Sequence, residues 1–301
     1  MTAFAQALTQ GRASDIVRTL LDARADSFVF VADHAPAANL AVQNSGAAFV
    51  PTTLVATYIS GTGDFGFVSD FNVEIVFEGT WTAELQQSFI IAAEYLSYVI
   101  TGDERDHKGV DDIRITASLE DIDGSGGILG QAGPTVTRFF GGIPSQGIME
   151  FDVADATEYV ALGLFDDLVL HEMMHCLGIG TIWSDLGLTT GTVRGDDMRF
   201  VGFNAILAYN FGLREIARSD PGRWTGVPVE TDGGLGTAGG HWDDRLFDNE
   251  LMTGFVDDFN FVSGMTIASL EDLGYDTIFV ARQPGAAVIQ PDAFVDQFGF
   301  V

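Results

Sequence analysis

The chain has 301 residues, 47% of them hydrophobic, enough to build one large or two moderate domains. Lys and Arg total 14 against 43 Asp and Glu, so a formal charge of −29 makes nucleic acid and anionic membranes poor partners and suits a salty or extracellular setting. A single cysteine, Cys176, rules out an intrachain disulfide, and no apolar run is long enough to span a bilayer.

Residues 1 to about 30 read as helix, with Ile16, Leu20 and Leu21 at helical spacing. The opening run Met1–Leu8 has neither the basic region nor the long apolar segment of a secretory signal peptide. Residues 31 to 70 are rich in Ala, Gly and Val, with short strand-like runs such as Leu54–Ile59; His34 reads as a surface residue. Phe71–Phe77 alternates apolar and polar residues as a half-buried strand does. Thr82 is a predicted N-cap for a helix whose Leu85, Phe89, Ala93, Leu96 and Ile100 share a face and which stops at Gly102. His107 falls in the charged loop 103–108 and reads as solvated.

A second strand covers Ile113–Leu119 by the same alternation. Asp121–Gly126 half-resembles a Ca2+ loop, but Ala132 stands where the bidentate Glu belongs, so a Gly-rich turn is the preferred reading. Gly127–Thr135 reads as an edge strand, able to pair with an extended peptide through its main chain. Gly147–Phe151 is a further strand that leads to Asp152 and Asp155.

The helical segment from Thr157 runs into Leu170-His171-Glu172-Met173-Met174-His175, an H-E-x-x-H motif. Histidines four apart lie one above the other on a helix, so both can reach one metal ion with Glu172 beside it. Leu164, Leu168, His171 and His175 fall at spacings of four, three and four, on the core-facing stripe. Neutral imidazole suits zinc, and a catalytic zinc has three protein ligands plus an open position. The implied chemistry is metal-assisted hydrolysis with Glu172 as base. Cys176 points about 100° around the helix from His175 and reads as a small buried residue. Gly178 can end the helix by turning left-handed. In the long metzincin motif a third His would follow at position 181, which here is Thr181.

Beyond Gly178 the composition shifts to Gly, Asp and Arg, with a helix near Phe203–Phe211 and loop over Ser219–Gly240. His241 follows in Gly239-Gly240-His241-Trp242, and then Glu250-Leu251-Met252-Thr253-Gly254. Asp185, Asp196 and Asp197 are weaker candidates for the missing ligand. Ser263 can cap a last helix, Met265–Leu273, ended by Gly274. The tail ends in acidic then apolar residues, a loose likeness to non-cleaved C-terminal signals of secreted bacterial proteins.

The order HEMMHCLG, a long insertion, GHW and ELMTG resembles the leishmanolysin-like metallopeptidases, a branch of the metzincins, over roughly Phe71 to Asp276. The resemblance implies His171, His175 and His241 as Zn2+ ligands, Glu172 as catalytic base and Met252 as the Met-turn beneath the site. It also implies protein or peptide substrates; the single cysteine, unlike disulfide-rich eukaryotic relatives, points to a simpler bacterial-type member, and the tail to a secreted one. The cysteine switch used by some relatives has no counterpart upstream of the motif. The fold implied is α+β and zincin-like: a mixed twisted sheet with a backing helix and an active-site helix above, and an irregular, helical C-terminal subdomain below. The expected divisions are an N-terminal extension (1–65), an upper subdomain (66–180), a lower subdomain with the third His (181–280) and a tail (281–301). Two alternatives remain at this point: a gluzincin-like hydrolase taking Glu250 or Glu271 as third ligand, and a secreted binding protein with a vestigial zinc site. Trp183 and Trp242 flank the motifs and read as core before cleft.

Overall fold

A computed structural model of the chain describes residues 28–31, 54–234, 236–279, 285, 288–291 and 294. The alternating segments become one sheet of six strands: β1 (Phe28–Val31), β2 (Thr57–Ile59), β3 (Val73–Phe77), β4 (Ile113–Glu120), β5 (Ile128–Thr137) and β6 (Pro144–Asp152). Their order is β1-β5-β6-β4-β3-β2. Strand β4 runs parallel to β3 and β6, whereas β5 is antiparallel to β6 and β2 to β3, so the sheet is mixed. The expected helix near the start lies outside the described residues except at its end, where Phe28–Val31 is strand instead. His34 also lies outside them.

That strand corrects a second expectation. The β5 edge is not open: β1 pairs antiparallel along it, Phe28 opposite Ala132 and Phe30 opposite Gly130. A bare row of N–H and C=O groups is satisfied by the nearest extended segment, and here the chain itself supplies one.

Helix α1 (Ala83–Val99) begins at Thr82, whose Oγ1 accepts the Leu85 N–H at 3.2 Å. It ends before Gly102, because Ile100 turns extended to bridge Thr277, and the Thr101 and Gly102 N–H groups donate to Asp276 O. Packed on the sheet and on the zinc-motif helix, it buries more than the expected face: Gln86, Ser88 and Glu94 are inside as well.

The predicted continuous helix through Thr157 is two helices, α2 (Val153–Leu162) and α3 (Phe165–Cys176). Gly163, at φ 72°, takes the left-handed conformation and closes α2, which breaks the axis before the motif. Leu164 therefore caps α3 rather than opening its stripe, while Leu168, His171 and His175 keep the expected face and are fully buried.

Loop 121–126 is organised by two carboxylates. Asp152 Oδ2 accepts the N–H groups of Ile122, Asp123 and Gly124 at 2.9–3.0 Å, and Asp155 Oδ1 accepts Gly126 N at 2.8 Å. Among the described residues this loop gathers no three acidic groups close enough to share an ion, so the calcium reading has no support.

The C-terminal part carries a small sheet of β7 (Thr189–Thr190), β8 (Arg199–Phe200) and β9 (Val227–Pro228), with α4 (Phe203–Gly212), α5 (Arg214–Ala217), α6 (Asp244–Phe247) and α7 (Gly264–Leu273). Helix α4 packs on α7, and Asp272 of α7 accepts the Asn204 and Ala205 N–H groups at 2.9 Å, capping α4 from outside. Ser263 caps α7 as expected, its Oγ accepting Thr266 N at 3.1 Å, and Gly274 ends it at φ 117°. Trp183 and Trp242 stack at 4.6 Å and are fully buried, so both are core. No described helix is long and apolar enough to cross a membrane.

Candidate metal centre

Helix α3 carries His171 and His175 one turn apart, and their Nε2 atoms stand 2.9 Å from each other. The chain then doubles back. Gly178 is left-handed at φ 110°, where a Cβ would meet Ile182 at 2.6 Å. Thr181, in the place where the long metzincin motif has its third His, donates its hydroxyl to His175 O at 2.9 Å. Gly180, at φ 75°, packs so tightly that any Cβ would collide with the Gly240 carbonyl oxygen. This close approach of two backbones lays the GHW segment against the end of α3.

His241 arrives there with its Nε2 at 3.0 Å from His175 Nε2 and 3.2 Å from His171 Nε2. All three rings are fully buried. Their Nδ1 atoms face backbone carbonyls: Leu251 O at 2.7 Å from His171, Ile179 O at 2.8 Å from His175, Thr237 O at 2.8 Å from His241. A carbonyl only accepts, so each Nδ1 carries the hydrogen and each neutral ring turns an Nε2 lone pair toward the other two. Three lone pairs about 3 Å apart repel unless a cation lies among them. Around a tetrahedral zinc with Zn–N of about 2.0–2.1 Å, the N···N edges would be about 3.3 Å. The observed edges are a few tenths of an ångström shorter, so this donor set fits zinc with slight opening. Burial lowers all three imidazole pKa values, His241 to about 4 and the other two well below the usual range, which keeps them neutral ligands. Among the described residues only these histidines and Asp103, Asp111 and Asp112 form groups able to hold an ion, and no ligand set at the histidines includes Asp185, Asp196 or Asp197.

Glu172 is fully buried, and neither carboxylate oxygen has a hydrogen-bond partner among the described residues. Desolvation lifts its pKa well above the carboxylate range. Gly130 of β5 stands beside it; a Cβ there would be 3.2 Å from Glu172 Oε1.

The ELMTG turn supports the cluster through its backbone. Leu251 O holds His171, and Met252 O accepts Trp242 N at 2.9 Å, next to His241. Met252 itself is fully buried in the core. Glu250 locks the turn: one carboxylate oxygen accepts Met252 N at 2.7 Å, and the other accepts Ser263 N, Ser263 Oγ and the Thr266 hydroxyl. Glu271 accepts Thr277 N and its hydroxyl at 2.6 and 2.9 Å. Both acids proposed as alternative third ligands are therefore committed elsewhere. His107 is half-buried rather than solvated, its Nδ1 at 2.8 Å from Ser145 Oγ. Cys176 is buried as expected, against Ile148 O and Gly133 O.

The backbone carbonyls of Ile179, Thr237 and Leu251, the Gly180–Gly240 approach and Gly130 are contributors that sequence reasoning missed. No side-chain signal marks a carbonyl; Gly180 and Gly240 beside the motifs were the one visible hint.

The family model for leishmanolysin matches residues 100–282, which include the motif helix, His241 and the ELMTG turn. A leishmanolysin homolog of Crithidia fasciculata is 26% identical over 206 residues, covering 66% of this chain and 29% of that protein. The chain thus spans under a third of the length of this relative. With more than half of its residues matched by the family model, the chain belongs to the leishmanolysin family of metallopeptidases.

Proposed function

We propose that the chain is a zinc-dependent endopeptidase of the metzincin type. In this reading His171, His175 and His241 hold the metal, Glu172 is the general base and Met252 marks the Met-turn. The observation that carries it is the convergence of three Nε2 atoms within 3.2 Å, each ring oriented by a backbone carbonyl on its Nδ1.

Zinc bound there supplies Lewis acidity that polarises a peptide carbonyl and makes water more acidic at neutral pH. The chain's own groups do the rest. Glu172 Oε accepts a proton from water and later releases it to the leaving amine. The buried surroundings strengthen every charge interaction at the reacting centre. The Leu251, Ile179 and Thr237 carbonyls keep the three rings in one tautomer and one orientation. A peptide substrate would take the place of β1 along β5, next to Glu172, using main-chain hydrogen bonds. The strongly acidic composition fits work outside the cell, and secretion is part of this proposal.

The test is metal content together with casein hydrolysis. The expected result is one zinc per chain, loss of cleavage on chelation with recovery on zinc addition, and loss of roughly 100-fold or more in Glu172→Ala. His241→Ala should lose zinc; full zinc and activity in that variant would move the third ligand elsewhere. Equal, negligible hydrolysis by wild type and Glu172→Ala would instead favour a binding protein with a vestigial centre.

A further inference from the structure

Three of the chain's 14 basic residues fall within ten positions, at Arg214, Arg218 and Arg223, in a protein of net charge −29. They line one cavity of about 300 Å³ beside the end of α4, the short α5 and the turn at 223–224. Such a volume sits at the small end of ligand pockets. Phe211 and Trp224 border it with edge-to-face rings, centroids 6.0 Å apart, and are 53% and 55% exposed. The other three tryptophans, Trp81, Trp183 and Trp242, are all buried.

The arginines are under-neutralised. Arg218 pairs with the exposed Glu215 at 2.7 Å. Among the described residues the Arg223 guanidinium has one hydrogen bond, to the Ala217 carbonyl at 3.5 Å, and no ion pair. Arg214 has no side-chain ion pair among the described residues. The wall is also fixed in place: Asn210, lining the same cavity, donates from Nδ2 to Arg223 O at 2.7 Å and to Ile206 O at 2.9 Å, tying the turn to α4. Like charges held together beside a firm aromatic wall gain most when an oxyanion enters, because guanidinium forks bind carboxylate or phosphate in two places at once and also stack on rings.

We infer that this cavity is a binding site for an oxyanion, carboxylate or phosphate, borne on an aromatic ring. The anion lies between Arg214 and Arg223, and the ring packs on Trp224 and Phe211. The site does not depend on the metal centre.

The full chain is titrated with phenyl phosphate, phenylacetate and inorganic phosphate in low salt, by calorimetry and by Trp emission, to which the exposed Trp224 contributes. At least one aromatic anion should saturate a single site, with inorganic phosphate at least about tenfold weaker. Tighter phenyl phosphate assigns the phosphate form, and tighter phenylacetate the carboxylate form. The double variant Arg214→Gln, Arg223→Gln should weaken binding at least about tenfold with an unchanged circular dichroism spectrum, while Arg194→Gln, exposed and outside the cavity lining, should not. The proposal is overturned by no saturation up to about 10 mM of either aromatic anion, by full binding in the double variant, or by loss of binding on chelation, which would place the anion at the histidines.

Discussion

Gly130 of β5 stands against the Glu172 carboxylate: a Cβ at 130 would be 3.2 Å from Oε1 and 3.0 Å from the Phe151 ring. A methyl there would press on the acid and on the Phe151 ring, so that one of them must shift by a few tenths of an ångström. Gly130→Ala is therefore expected to cut casein hydrolysis at least about tenfold while lowering stability by about 1–2 kcal/mol, the scale of mild overpacking. Steady-state kinetics beside urea unfolding checks this; full activity would mean that the Glu172 carboxylate has room to shift.

In the proposed function an extended substrate would have to displace β1, since Phe30 pairs with Gly130 next to Glu172. A chain beginning at residue 54 is expected to cleave casein several-fold faster than the full chain at subsaturating substrate. An unchanged kcat/KM in a folded truncation would show that substrate uses another surface.

Glu250 is a fully buried carboxylate accepting from Met252, Ser263 and Thr266. In Glu250→Gln an amide donor must face one of these donors. The loss should be roughly 2–3 kcal/mol, on the scale of hydrogen bonds to charged groups. Because Leu251 O orients His171, zinc affinity should also fall by about 10–100-fold, measured by chelator competition. A loss of stability with zinc affinity intact would separate the turn from the metal.

Glu94 on α1 is buried, and burial raises its pKa to about 7 against the Tyr58 and Gly61 hydrogen bonds that lower it. A carboxyl raised in the fold contributes stability fully present below its unfolded pKa and lost as pH rises through the folded value. The fold should thus weaken between about pH 4.5 and 7 from this group. Glu94→Gln removes that titration and should be more stable than wild type at pH 8, by of order 2 kcal/mol. Parallel unfolding curves across this range would show that Glu94 does not titrate there.

By itself the sequence determined much of what depends on neighbours along the chain, although the local stop at Gly163, which splits one predicted helix in two, was not read from it. Thr82 and Ser263 cap their helices, since a hydroxyl needs only the N–H three residues on. The i, i+4 pair His171–His175 needs only helical pitch, and β3 and β4 follow from alternation. His241, 66 residues beyond His175, was legible because its motif resembled a known family, since no local rule brings it to the helix. Tertiary structure decided the rest. Strand β1 closed an edge that looked open, and Asp152 took the N–H groups of a loop resembling a cation site. The third imidazole converges because Gly180 lets its backbone touch that of Gly240, and its tautomer is set by a carbonyl. Carbonyl oxygens are the same at every residue, so which of them face the rings follows from packing and from no letter of the sequence.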